Sequence, residues 1–322
     1  MMKTVGFHTP GGPDVLTELD LPVPEAGPGE VRIRVHGAAV NPADTLIRIG
    51  DVDLGAMPGP YILGMDVAGV IDQVGPGDSA FSTGDHVMAV VIPDRPHNGG
   101  YAQYVVVPAG QVTAAPKNVS LIEAATIPMN GLTALRGLHV LNARPGTTLA
   151  VTGSTGAFGG YFIELGKRAG ARIIADSSEA DEALVRSLGA DLIARRGPGY
   201  TADVRRQIPE GADALADAAL LGADVLDAVT DNGLYSSLRA IGERGTAPLP
   251  EPAPRGINYR YFGFYENPDI PGSLRDLTEA VEARQLTPRV AEVIDPADAG
   301  RAHQALEAGG VRGRFVLDFS RP

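Results

Sequence analysis

The sequence of 322 residues contains no cysteine. That absence excludes disulfides, thiolate nucleophiles and any zinc site with a sulfur ligand. Lysine is scarce, confined to Lys3, Lys117 and Lys167. A Walker loop needs Gly-Lys followed by Ser or Thr, and Gly166-Lys167 is followed by Arg168, so that nucleotide motif is missing. Positive charge is in deficit: 27 Lys+Arg against 39 Asp+Glu give a net charge of −12. An acidic chain lacks the basic face that a nucleic-acid backbone requires. No stretch approaches the ~18 apolar residues of a membrane span. The opening MMKTVGFHTPGGPDVL has no apolar segment of signal-peptide length. The expectation is a cytoplasmic globular protein that binds neither nucleic acid nor membrane. The histidines at 8, 36, 86, 97, 139 and 303 fall at no metal-ligand spacing, so no metal is expected.

What is present is an apolar content of 44% in short, punctuated runs. Up to about residue 120 these read as strands: VRIRVHGAAV (31–40), VAGVIDQVG (67–75), DHVMAVVIP (85–93) and YAQYVVVP (101–108). In the first, Val31, Ile33 and Val35 alternate with Arg32, Arg34 and His36, the period of a half-buried strand. From Leu121 the texture changes. LIEAATIPMNGLTALRGLHVL reads as helical pieces separated by Pro128 and Gly131. TTLAVT (147–152) suits a buried parallel strand, and strand and helix patterns then alternate through ARIIA, EADEALVRSLGAD, ADALADAAL and GLYSSLRAIG. That alternation predicts βαβ units on a parallel sheet. The tail reads as a helix over 273–286, a strand over 289–294, a helix closed by Gly309-Gly310, and a last strand over 313–319.

Between the strand TTLAVT and the helix AFGGYFIELGKRAG lies Gly153-Ser154-Thr155-Gly156-Ala157-Phe158-Gly159. Glycines at this spacing let a backbone turn tightly against a pyrophosphate, with the N–H groups of the helix start pointing at it. The turn reads as a nucleotide site; the alternative is a tight βα turn that binds nothing. Short-chain dehydrogenases are excluded, because no lysine has a tyrosine four residues before it. Asp176 follows the second strand at the distance where an acid holds the ribose of NAD.

NPADTLIRIG (41–50), LGMDVAGVIDQVG (63–75), GDHVMAV (84–90), GGYAQYVVVP (99–108), AATIPMNGLTA (124–134), the glycine turn, VRSLGAD (185–191) and LEAGGVRGRFVL (306–317) together carry a resemblance. The chain resembles the zinc-independent quinone oxidoreductase (zeta-crystallin-like) branch of the medium-chain dehydrogenases/reductases over nearly its whole length. The resemblance implies an α/β protein with a GroES-like β-barrel catalytic domain (1–122 and 266–322) and a Rossmann domain with a parallel sheet (123–265). It implies NADPH-dependent hydride transfer to a quinone or an α,β-unsaturated carbonyl, without metal. Zinc-dependent members carry Gly-His-Glu where this chain has Gly64-Met65-Asp66.

The resemblance also assigns residues. Asn41 and Asp44 match its N-x-x-D pattern; Asn41 contacts substrate or the nicotinamide ribose, or is a turn residue before Pro42, and Asp44 reads better as a helix cap. Leu46 stands where the family often has a tyrosine, which leaves the proton donor open; Tyr61 and Tyr101 are unassigned alternatives. Cofactor contacts are implied at Asn41, Thr133, Ser154, Thr155, Gly156, Ala157, Phe158, Gly159, Gly263 and Phe264. Phe262, Phe264 and Tyr265 line the pocket or pack in the core. Ser177, Ser178, Arg195 and Arg196 are expected around the 2′-phosphate of NADPH with Asp176 turned aside; Asp176 on the ribose means NADH instead. A homodimer is expected through GLYSSLRAIG as an edge strand of the sheet. Two other functions fit the same resemblance: a crystallin-like nucleotide-binding protein with little catalysis, and a polyketide-type enoyl reductase.

Overall fold

Apolar alternation in the first third of the chain produces strands, and the pleat turns every second side chain into the core. The computed structural model describes residues 1–52, 57–93, 95–239 and 246–321. The chain divides into two units: Met1–Met129 with Asp269–Arg284 and Pro288–Pro322, and Asn130–Pro268 with Gln285–Thr287. No helix among the described residues is long and apolar enough to cross a membrane.

The first unit begins with β1 (Met2–Phe7), β2 (Thr17–Leu21), β3 (Glu30–Ala39), α1 (Pro42–Ile49) and β4 (Tyr61–Ile62). It continues with β5 (Asp66–Val74), β6 (His86–Val90), β7 (Tyr104–Pro108), β8 (Val112–Ala114) and α2 (Leu121–Ala124). As the alternation predicts, Val31, Ile33 and Val35 of β3 are fully buried. The helical pieces expected on either side of Pro128 are present, α2 before it and α3 (Pro128–Val140) starting at the proline; the second break, expected at Gly131, is corrected, because α3 runs on through that glycine. Proline is favoured at the first helical position, whose N–H has no intrahelical acceptor.

The second unit then supplies β9 (Thr148–Thr152), α4 (Ala157–Arg168), β10 (Arg172–Ser177), α5 (Glu182–Ser187) and β11 (Leu192–Arg195). α6 (Tyr200–Gln207), β12 (Ala212–Asp217), β13 (Val229–Ser237) and β14 (Asn258–Tyr261) complete it. Its six strands lie in the order β11-β10-β9-β12-β13-β14, and all five pairings are parallel. This is the doubly wound dinucleotide-binding order, which reverses between β9 and β12. The expected edge strand GLYSSLRAIG is corrected: its residues 233–237 lie in β13, which is interior. β14 covers it, pairing Tyr235 with Tyr259, and the two rings meet edge-on at 5.9 Å. Residues 240–242 of that stretch lie outside the described residues.

The tail returns to the first unit with α7 (Ile270–Glu282), β15 (Val290–Ile294), α8 (Ala299–Ala308) and β16 (Arg314–Asp318). β16 pairs antiparallel with β3 and joins β15 to a sheet running β15-β16-β3-β5-β6-β8, with β7 also on β3. The chain's last strand thus closes onto residues 37–39, next to Asn41 and α1.

Candidate functional site

In the second unit, β9 delivers the chain into the glycine turn at the point where the strand order reverses. Gly153 has φ +65°, a left-handed conformation. A Cβ on Gly159 would collide with Gly153 O and meet Ser154 Cα at 2.6 Å, so helix and turn pack backbone to backbone. Gly156 is the N-cap of α4 and no side chain caps the helix, and a helix start of this kind suits an anion. Asp217, at the end of β12, fixes the strand end beneath: Oδ1 accepts from Thr152 Oγ1 at 2.6 Å, and Oδ2 accepts from Tyr235 Oη at 2.7 Å. No sequence motif singles out this buried carboxylate.

Asp176 faces the turn. Its Oδ1 accepts the Ser154 N–H at 2.8 Å, its backbone carbonyl accepts from Ser154 Oγ, and its Oδ2 accepts from Arg196 Nε at 2.6 Å. The expectation that Asp176 turns aside is therefore corrected; those donors hold it against the turn. Arg196 also reaches Thr155 Oγ1 at 3.3 Å and lies 4.0 Å from Asp181. Ser154, Thr155, Asp176 and Arg196 are thus brought together. Arg195 is directed elsewhere, 3.6 Å from Glu182, with its N–H on Asp203. Ser177 Oγ donates to the Ser178 carbonyl, and Ser178 Oγ to Asp181.

Of the remaining candidates in this unit, Ala157 and Phe158 are buried in the first turn of α4, and Thr133 is half-buried on α3. Phe262 is core: it stacks on Phe158 at 6.1 Å. Phe264 is buried beside Gly263, whereas Tyr265 is exposed and shares a 2.6 Å hydrogen bond with Tyr261 Oη.

In the first unit, Asn41 and Asp44 open α1. Asp44 Oδ2 accepts the Asn41 N–H at 2.8 Å, half of a capping box, and Oδ1 accepts the Gly64 N–H at 2.9 Å. Asn41 Nδ2 donates to Asp66 Oδ2 at 3.0 Å. Asp66 is fully buried and takes two further donors, Met129 N–H at 2.6 Å and Arg314 Nη2 at 2.9 Å. Arg314 also donates from Nε to the Val40 carbonyl and from Nη1 to the Thr126 carbonyl. Tyr101, fully buried, places Oη 3.3 Å from Asp44 Oδ2 and 3.1 Å from His303 Nε2. Tyr61 instead donates to the Met57 carbonyl. Burial, reinforced by the Asp66 charge, pushes the Asp44 carboxyl up to about 6, against the pull of the Asn41 and Gly64 N–H groups. Burial, with the Arg48 charge second, pushes His303 down to about 3. Sequence reading missed Arg314 and His303; the one local sign is an arginine opening the otherwise apolar strand RFVLD.

The residues present fit a dinucleotide: a bare helix start, a close-packed glycine turn, and polar groups at the end of the second strand. They do not fit zinc. Asp66 has both oxygens engaged, and among the described residues no group of three or more His, Asp or Glu is placed to hold a metal ion.

Comparison with known proteins identifies the family. Residues 27–117 match the alcohol dehydrogenase GroES-like domain, and residues 188–317 match the zinc-binding dehydrogenase family. The chain is 30% identical over 329 residues to an NADPH-dependent alkenal/one oxidoreductase of the Arabidopsis thaliana chloroplast, covering 98% of this chain and 79% of that one. It is 32% identical over 239 residues to the 2-methylene-furan-3-one reductase of Solanum lycopersicum; the match takes in 72% of this chain but only 61% of that protein's length. A solved NAD-dependent alcohol dehydrogenase superimposes with a TM-score of 0.87 at 30% identity, over 99% of both chains.

Proposed function

Because the chain belongs to the medium-chain dehydrogenase/reductase superfamily, we propose that it is a metal-independent reductase that takes hydride from a nicotinamide cofactor to a conjugated carbonyl, an enone or a quinone. The cofactor, when bound, supplies the hydride. The chain's residues bind and orient: Thr155 to Gly159 receive the pyrophosphate while Ser154 ties the turn to Asp176, Asp176, Thr155 and Arg196 meet the adenosine ribose, and Thr133, Gly263 and Phe264 flank the nicotinamide. Asn41, anchored through Nδ2 to Asp66, is the first unit's candidate for contact with the substrate. With Asp66 committed to Arg314 rather than to a metal ion, stabilisation of the developing enolate falls to hydrogen bonds, which suits an acceptor already activated by conjugation. Enone and alkenal reduction by two of the relatives supports the same substrate class.

Between the two cofactors we favour NADH, on one observation: the Asp176 carboxylate facing the turn. Asp176 and Asp181 flank Arg196, so this corner carries one more negative than positive charge. That suits ribose hydroxyls, and a phosphate of nearly two negative charges meets repulsion there. NADPH is the second reading; it rests on the Arg196 guanidinium, which could leave Asp176 to pair with a 2′-phosphate. Initial rates with both cofactors against a panel of enones, quinones and alcohols test the proposal. Faster oxidation of NADH than NADPH, with enone or quinone, is the expected result. Tight cofactor binding without turnover on any acceptor would leave a crystallin-like binding protein instead, and alcohol oxidation without enone reduction would refute the substrate class.

A further inference from the structure

The buried cluster of the first unit places one hydroxyl between a carboxylate and an imidazole nitrogen. Tyr101 Oη lies 3.3 Å from Asp44 Oδ2 and 3.1 Å from His303 Nε2. A phenol has one proton, so it donates to one neighbour and must accept from the other. An ionised Asp44 can only accept. Tyr101 then donates to Asp44, and His303 Nε2–H donates to Tyr101 Oη, which leaves His303 Nδ1 bare. That Nδ1 is buried and has no hydrogen-bond partner among the described residues. It is the open end of a three-membered chain that runs from α8 to the first turn of α1.

We propose that His303, Tyr101 and Asp44 form a proton relay in which a proton taken up at His303 Nδ1 is delivered, by two successive shifts, as a proton on Asp44 Oδ2. The Nδ1–H bond forms and the Nε2–H bond breaks; that proton joins Tyr101 Oη as the phenolic proton leaves for Asp44. One solvent proton is consumed, the carboxylate becomes neutral, and His303 ends neutral in its other tautomer, with Nε2 now accepting from Tyr101. Both hydrogen bonds reverse direction and no heavy atom has to move.

The surroundings hold the two relay members neutral and leave Asp44 as the proton store. The charged and titratable groups about the relay are Asp66 on β5, Arg314 on β16 and Arg48 on α1, which pairs with Glu307 of α8 one turn beyond His303. Burial and Arg48 keep the imidazole from charging, burial and Asp44 hold the Tyr101 phenol well above its usual range, and Asp44 titrates at about 6. Reduction of a conjugated carbonyl consumes one proton for each hydride, and the relay ends three residues from Asn41. This use of the relay rests on the proposed function; the relay itself does not.

The test is the tautomer of His303, read by nitrogen NMR on the intact 15N-histidine-labelled protein, with the signals assigned by through-bond correlation to the backbone. As the pH falls through about 6, the proton is expected to pass from Nε2 to Nδ1 with no imidazolium signal. A single tautomer from about pH 5 to about pH 8, or an imidazolium forming in that range, would overturn the relay. In Tyr101→Phe the switch should vanish; a switch unchanged in that variant would remove the hydroxyl from the path. If Tyr101→Phe fails to fold, the wild-type titration alone decides. A switching His303 with no turnover on any enone or quinone would sink the reductase reading and spare the relay, whereas turnover with a fixed tautomer would do the reverse.

Discussion

Replacing Arg314 by methionine keeps an apolar stem and removes the charged guanidinium, and it tests how the first unit holds Asn41 in place. In the wild type three donors converge on Asp66: Met129 N–H at 2.6 Å, Arg314 Nη2 at 2.9 Å and Asn41 Nδ2 at 3.0 Å. The carboxylate is fully buried and the guanidinium nearly so. Arg314→Met leaves a buried charge with two neutral donors and strips donors from the Val40 and Thr126 carbonyls. Breaking a buried pair on one side costs about 3–5 kcal/mol. Asp66→Asn should cost a similar amount, since an amide has one acceptor oxygen and its NH2 must face a donor whichever way it is flipped. The double variant removes both charges, so its cost should fall short of the sum of the singles by about 2 kcal/mol. Urea unfolding followed by far-ultraviolet circular dichroism measures all four proteins; the chain has no tryptophan to report by fluorescence. Single losses below about 1 kcal/mol, or additivity within about 0.5 kcal/mol, would refute the claim that the two residues form one interdependent unit.

Asp176→Ser should raise kcat/KM for NADPH relative to NADH by about 10- to 100-fold, the equivalent of one to two hydrogen bonds with a charged partner; an unchanged ratio in steady-state kinetics would take Asp176 away from the ribose. Gly159→Val forces side-chain atoms into the Gly153 carbonyl, so calorimetric titration should find nucleotide binding abolished, at a cost in stability of about 1–3 kcal/mol. Asp44 binds its proton more tightly folded than unfolded, so its stabilising contribution is complete below the ordinary 3.8 and is lost as the pH rises through about 6. The stability of Asp44→Asn relative to wild type should therefore improve by up to about 3 kcal/mol between about pH 4 and about pH 7; a difference independent of pH in urea titrations would contradict the assignment.

The second unit was the more legible, because its determinants are local. A strand of buried residues, a glycine turn and an amphipathic helix follow one another within 148–168, and hydrophobic period and backbone conformation are written in consecutive residues. The part misjudged there was the edge. The aromatics of YRYFGFYE mask a strand in the sequence and leave GLYSSLRAIG without an evident outer neighbour; Asn258 to Tyr261 alternate in burial as a strand does. The separation at Pro128 is legible because a proline begins a helix from its first position, whereas the break expected at Gly131 does not occur: a lone glycine inside a helix costs only about 1 kcal/mol, which packing outweighs.

The charged clusters divide along the same line. Asp176 and Arg196 are 20 residues apart on neighbouring strand ends, and both stood out in the sequence as candidates for one ribose. What the sequence could not weigh was their attraction to each other, which occupies the acid and the base at once and changes the cofactor each would favour. Asp66 and Arg314 are 248 residues apart, and His303 is 202 from Tyr101. Neither pair has any spacing for a motif to record; they meet because β16 returns to pair with β3 and α8 packs beside α1. The two polar clusters of the first unit, Asp66–Arg314 and Asp44–Tyr101–His303, are therefore products of the tail's path. A substitution that detaches β16 from β3 should loosen Asn41 and unmake the relay together, while a change confined to α8 should silence the relay and leave Asn41 on Asp66. His303→Leu is that second change. It should preserve the stability coupling between Asp66 and Arg314 while fixing Tyr101 as a donor to Asp44 at every pH above the carboxyl's titration; loss of the coupling in that variant would mean the two clusters are one.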